Sequence, residues 1–147
     1  MEKMGIVYLN WQGLDEFQRL QSDIERTISQ ISSFIYIIRT KNPKEAEQLP
    51  KIDRVIFITK KDFSVFGKLR NKRIIEILNN EKMGIVIFAS TIHDNFFKRI
   101  LKTSKLKSVG IENSDLPDFD LSFKNIEKID DNYFQQINKY LSQIQWK

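Results

Sequence analysis

Two stretches of this chain run without a polar side chain, Gly5-Ile-Val-Tyr-Leu9 and Met83-Gly-Ile-Val-Ile-Phe-Ala89. A strand with one wet face alternates apolar and polar residues. Runs of this length without alternation are strands covered on both faces. In a chain of 147 residues, the arrangement that covers both faces of a sheet is a parallel sheet with helices above and below it.

The other segments fit that frame. Leu14, Phe17, Leu20, Ile24, Ile28 and Ile31 recur at three- and four-residue steps, the stripe of an amphipathic helix. Asp15 and Glu16 fall in its first turn, where the helix dipole favours negative charge. Ser33–Ile38 and Arg54–Thr59 are β-branched and aromatic, and predict two more strands. Lys41 to Pro50 is polar with two prolines and predicts a loop. Lys60–Gly67 predicts a turn with two aromatics, Phe63 and Phe66, read as core anchors, with exposed base-stacking platforms beside the basic residues as the alternative. Asn71–Asn80 predicts a basic helix with Ile74, Ile75, Ile77 and Leu78 inward. Ser90 or Thr91 is expected to cap a helix reaching about Ser104, with Phe96, Phe97, Ile100 and Leu101 as its apolar face. Leu106–Gly110 and Phe119–Phe123 predict a short strand and an edge strand. Asp130–Gln145 predicts a closing helix that packs through Tyr133, Phe134, Ile137, Tyr140, Leu141 and Ile144. The expected fold is therefore α/β and doubly wound, in three layers. A mostly parallel sheet of about six strands carries helices on both faces, in one Rossmann-like domain spanning 1–147.

Composition removes several chemistries. There is no cysteine, so disulfides, thiolate metal sites and cysteine nucleophiles are excluded. His93 is the one histidine, which excludes a multi-histidine zinc centre. The five glycines, at 5, 13, 67, 84 and 110, form neither G-x-G-x-x-G nor G-x-x-x-x-G-K, and no G-x-S-x-G is present. Asp115, Asp118 and Asp120 are close in sequence, but Leu116-Pro117 between them predicts a solvated loop rather than a metal cluster. No catalytic residue, metal ligand or cofactor is assigned. Met1-Glu2-Lys3-Met4 leads into an apolar run far shorter than a signal sequence, and no run is long enough to cross a bilayer. A cytoplasmic protein without a membrane partner is expected.

In open parallel sheets, ligands bind beyond the carboxyl ends of the strands where strand order reverses. With Met4–Leu9 and Met83–Ala89 as central neighbours, that corner holds Asn10, Gln12, Ser90, Thr91 and His93. The free N–H groups expected at the start of the helix after Ser90 would suit an anion. A small-molecule enzyme or ligand sensor built on these five residues is one functional expectation.

The other rests on charge. Residues 51–110 carry 14 Lys/Arg against 5 Asp/Glu, a net of +9, whereas the segments before and after carry −1 and −3. Such asymmetry points to an acidic partner. Lys60, Lys61, Lys68, Arg70, Lys72 and Arg73 crowd one turn and helix start. Lys98, Arg99, Lys102, Lys105 and Lys107 line the next helix and its exit, with Lys98, Lys102 and Lys105 on one helical face. Brought together, they would make a patch able to neutralise several phosphates. RNA, a ribonucleoprotein such as the ribosome, or an acidic protein is the expected partner of a non-catalytic accessory protein.

The stretches Gly5-Ile-Val-Tyr-Leu-Asn10, Thr59-Lys-Lys-Asp-Phe-Ser-Val-Phe-Gly67, Leu106-Lys-Ser-Val-Gly110 and Phe119-Asp-Leu121, with the strand ending at Ser90, resemble a family of small bacterial proteins catalogued as a domain of unknown function. The Lys-Lys-Asp-aromatic-x-x-Phe-Gly segment is the most specific part. The resemblance implies a Rossmann-like fold and leaves activity open. It also implies acidic residues on the strand that here carries Gly84 and Phe88, which weighs against an enzyme. The unit from Met83 to Gly110 is similar, at the level of fold alone, to part of the acceptor domain of heptosyltransferase-type glycosyltransferases.

Overall fold

The computed structural model describes residues 4–80, 82–92, 94–112, 119–124 and 126–143. The strands are β1 (Met4–Asn10), β2 (Ser33–Arg39), β3 (Val55–Ile58), β4 (Met83–Phe88), β5 (Lys107–Ile111) and β6 (Leu121–Phe123). They form one sheet in the order β3-β2-β1-β4-β5-β6, and every pairing is parallel. Strand order reverses between β1 and β4, which lie side by side at the centre.

The helices are α1 (Leu14–Thr27), α2 (Pro43–Gln48), α3 (Lys72–Leu78), α4 (Asn95–Thr103) and α5 (Asp131–Leu141). Alternate strand positions feed two separate cores, as the two-residue pleat requires. On one face Val7, Leu9, Tyr36, Ile38, Ile85 and Ile87 pack with Phe17, Leu20 and Ile24 of α1 and Tyr133, Phe134 and Ile137 of α5. On the other Ile6, Tyr8, Ile37, Ile56, Val86 and Phe88 pack with Ile74 and Leu78 of α3 and Phe97 and Ile100 of α4. This is the three-layer α/β fold expected from the sequence.

Local details differ from expectation. Residues 43–48 form α2 rather than a loop. Asn42 accepts a hydrogen bond from Glu45 N at 2.8 Å and Pro43 takes the first helical position, both helix-start signals. The helix buries no residue, so it has no apolar stripe to reveal it. The helix after β4 starts at Asn95, capped by Asp94, whose carboxylate accepts from Phe97 N at 3.1 Å. Neither Ser90 nor Thr91 caps it. Leu14 and Tyr140, expected inside, are exposed at the ends of their helices. Phe66 is 90 % exposed and not a core anchor. Ile144, Asp115 and Asp118 lie outside the described residues. Asp120 instead binds β5, accepting from Ser108 N at 2.8 Å.

Candidate functional sites at the carboxyl edge

The carboxyl ends of β1 and β4 border a cleft of about 300 Å³ on the α1 and α5 side. Asn10, Gln12, Ser90 and Thr91 all line it; His93 lies outside the described residues. The fold thus brings four sequence-predicted positions together. Their chemistry is largely internal. Asn10 Nδ2 donates to Ser90 Oγ at 2.5 Å, and Ile92 N donates to the same oxygen at 3.0 Å. Ser90 therefore ties the two strand ends together, and it is this role that takes its hydroxyl away from helix capping. The start of α4 is closed by the Asp94 carboxylate, so it does not offer the anion site expected there.

The same cleft is lined by residues the sequence did not single out: Glu16 and Arg19 of α1, and Glu127, Lys128 and Ile129 ahead of α5. Glu16 pairs with Arg19, which also reaches Asp23 at 3.2 Å. The hydrogen bond from Arg19 holds the Glu16 carboxyl below the usual carboxylate range. Two acids and two bases leave the lining without net charge. Glu127–Ile129 could not be placed from sequence, because their closeness to Asn10 depends on where the connection from β6 to α5 passes.

The second opening is a shallow pocket of about 560 Å³ on the α3 and α4 side, lined by residues of the 60–67 segment, Arg39 at the end of β2, and the first turns of α4. The segment after β3 opens with a 3-10 turn over Lys60–Asp62. Asp62 holds it at both ends. Its carboxylate accepts from Thr59 N at 2.8 Å and from Asn71 Nδ2 at 2.8 Å, and its carbonyl accepts from Arg70 N at 2.6 Å. Asn71 in turn caps α3 through Ile74 N.

Between these ties the chain makes a tight four-residue turn. Gly67 N donates to Ser64 O at 2.8 Å, Ser64 N donates to Lys68 O at 2.7 Å, and Lys68 N donates to Ser64 Oγ at 3.0 Å. Val65 and Phe66 occupy its two corners and project into solvent, 98 % and 90 % exposed. Gly67 sits at φ +77°, a conformation side chains other than glycine's resist. The Arg99 guanidinium lies where a Cβ would be, within 2.6 Å. A side chain at 67 would displace the Arg99 guanidinium from the turn.

Beneath the turn, Phe63 and Phe96 are in ring contact, with centroids 4.8 Å apart. Arg39 lies over Phe96 with its Cζ 4.3 Å from the ring centroid and pairs with Asp94. Ten of the eleven basic residues singled out from sequence are carried by the 60–73 segment and by α4 and its exit, on this side of the molecule; Lys107 pairs with Ile85 and shares the strand parity of Val109 and Ile111, which places it on the opposite face. Lys98 is half-buried and the other ten are exposed. Among the described residues only Lys61 of the eleven meets a carboxylate, Glu47 at 3.9 Å. Arg39 escaped the sequence reading, whereas Phe63 and Phe96 were named there without their contact. A charged residue closing an otherwise apolar strand, as in Ser33–Arg39, was the available signal for Arg39.

Among the described residues no group of three acidic or histidine side chains could hold a metal ion, and no helix is long and apolar enough to cross a membrane. Compared with family models, with curated proteins and with solved structures, the chain matches none.

Proposed function

We propose that this protein is a non-catalytic binding or accessory protein that takes RNA, free or within a ribonucleoprotein, on the basic face formed by the 60–73 segment, α3 and α4. The observation that carries this reading is the unpaired state of the basic residues. Ten of the eleven have no carboxylate partner among the described residues, although 19 acidic residues are available in the chain. Solvated lysines scattered over a surface keep a protein soluble. Concentration on one side of a sheet, where the basic residues outnumber Asp62, Glu76 and Asp94 of the same segments, creates a field suited to a polyanion.

The test is a filter-binding titration with RNA at about 50 mM and about 200 mM salt. Neutralising several phosphates predicts an affinity loss of roughly 10- to 100-fold between them. Absence of binding, or binding indifferent to salt, would overturn the reading.

A second reading is supported by the cleft at Asn10, Gln12, Ser90 and Thr91. Its volume suits a small molecule, and its balanced charges favour a ligand that is polar but not strongly anionic. A thermal-shift screen of metabolites tests it. Stabilisation that disappears in Asn10→Ala would support this second reading.

A further inference from the structure

Resting on the RNA-binding reading, we infer that the turn at Ser64–Gly67 and the pocket beside it take an unstacked base, so that the protein prefers single-stranded RNA to duplex. Three observations converge on this. Phe66 is a large apolar ring held 90 % in solvent, and such exposure keeps apolar surface hydrated and forgoes the free energy its burial would release. The ring is not there through looseness, because the turn beneath it is closed by three short hydrogen bonds and anchored at both ends by Asp62. The adjoining pocket combines aromatic rings, Phe63 and Phe96, with the guanidinium of Arg39 and the cations of Lys60 and Arg99.

Each part matches one part of a nucleotide. A projecting aromatic ring stacks on a base face, which every base presents and which a paired, stacked helix hides. Lys60 and Arg99 flank the pocket as phosphate contacts, since neither has a carboxylate partner among the described residues. Arg39 is already paired with Asp94 and lies over Phe96, so it forms part of the rigid wall and not a free phosphate anchor. The immobilised turn lowers the ordering cost of binding. Exposed apolar corners amid lysines also occur on loops that dip into anionic lipid. The aromatic-lined pocket behind the corners is the feature that favours a flat, planar group over an acyl chain.

The experiment measures fluorescence anisotropy of a short single-stranded RNA and of a duplex of the same length, with wild-type protein, Phe66→Ala and Phe66→Tyr. Because Phe66 is exposed, the alanine variant should fold as wild type does, which circular dichroism checks. The expected result is tighter binding of the single strand, weakened roughly 5- to 100-fold by Phe66→Ala and largely retained by Phe66→Tyr. Duplex binding and the salt dependence of both should be unchanged by either variant. Equal affinity for the two RNAs, or no effect of Phe66→Ala, overturns the base-stacking inference and leaves the electrostatic reading standing. Failure of both RNAs to bind overturns both. Phe66-dependent binding to phosphatidylserine vesicles without RNA binding overturns both in favour of a lipid surface.

Discussion

The two sides of the sheet reach solvent along the same carboxyl edge and finish there in opposite ways. On the α1 and α5 side the polar groups satisfy one another. Asn10 and Ser90 bond across the strand ends, and Glu16 pairs with Arg19. On the α3 and α4 side the turn is closed by three hydrogen bonds with Phe66 at its tip, and among the described residues all but one of the basic side chains singled out there meet no carboxylate. The corner that the fold rule nominates for a ligand is the more self-contained of the two. The side marked by charge is the more open. Topology says where a site can be; the balance of satisfied and unsatisfied groups says which place has been left free to bind.

Exchanging charge breaks this contrast most strongly. Replacing Lys68, Arg70, Lys102 and Lys105 together with alanine removes four phosphate contacts. The slope of log affinity against log salt should fall by roughly 3 for a single strand. Alanine at Arg19 and Lys128, the cations of the cleft, should leave the slope where it was. Equal effects from the two sets would erase the distinction between the sides.

The next effect is on the turn. Asp62→Ala leaves Thr59 N and Asn71 Nδ2 without their acceptor. It should cost about 1–3 kcal/mol in urea denaturation, since bonds to a charged acceptor are the stronger kind. It should also weaken RNA binding. Loss of a negative charge alone would strengthen that binding, so a decrease reports the order of the turn. Ser90→Ala, its counterpart in the cleft, should cost about 1 kcal/mol and leave RNA binding intact.

The strands and the two-sided cover were legible because uninterrupted apolar runs such as Met83–Ala89 have few other uses. The corner residues Asn10, Gln12, Ser90 and Thr91 followed from strand order alone. Other features left no such mark. A phenylalanine carries the same sequence signal in a core as at a turn, so Phe66 was placed inside. Gly67 one residue later, in a run with few other glycines, was the hint of a turn corner. The start of α4 was misplaced because Ser90 is as good a cap as Asp94 until its hydroxyl is engaged by Asn10 from 80 residues away.

Each side also buries a tyrosine, and these give a smaller test. Tyr133 OH donates to Phe88 O at 3.1 Å, whereas Tyr8 OH, packed against Phe88 and Phe97, has no hydrogen-bond partner among the described residues. Burial pushes both phenols far above their ordinary range, so both stay neutral. Tyr133→Phe should destabilise by about 1 kcal/mol, and Tyr8→Phe should be neutral or stabilising. The reverse order would mean that the Tyr8 hydroxyl has a task of its own.

The smallest effect concerns pH. Hydrogen bonds from Arg19 to Glu16 and from Thr27 to Asp131 hold both carboxyls below their usual range. Their contribution is present above that range and is lost as pH falls through the lowered folded values. Because both groups are only half-buried and screened by solvent, the loss is slight. Melting temperatures between about pH 5 and about pH 3 should fall less steeply in a Glu16→Gln, Asp131→Asn variant than in wild type.

Backbone amide chemical shifts, recorded while single-stranded RNA is added to the full chain, compare the two sides in one titration. Shifts should move in Lys60–Arg73 and in Asn95–Lys107, while Asn10–Leu14, Ser90–Ile92 and Glu127–Ile129 stay in place. Movement centred on Asn10 and Ser90, with Phe66 and its neighbours still, would contradict the account.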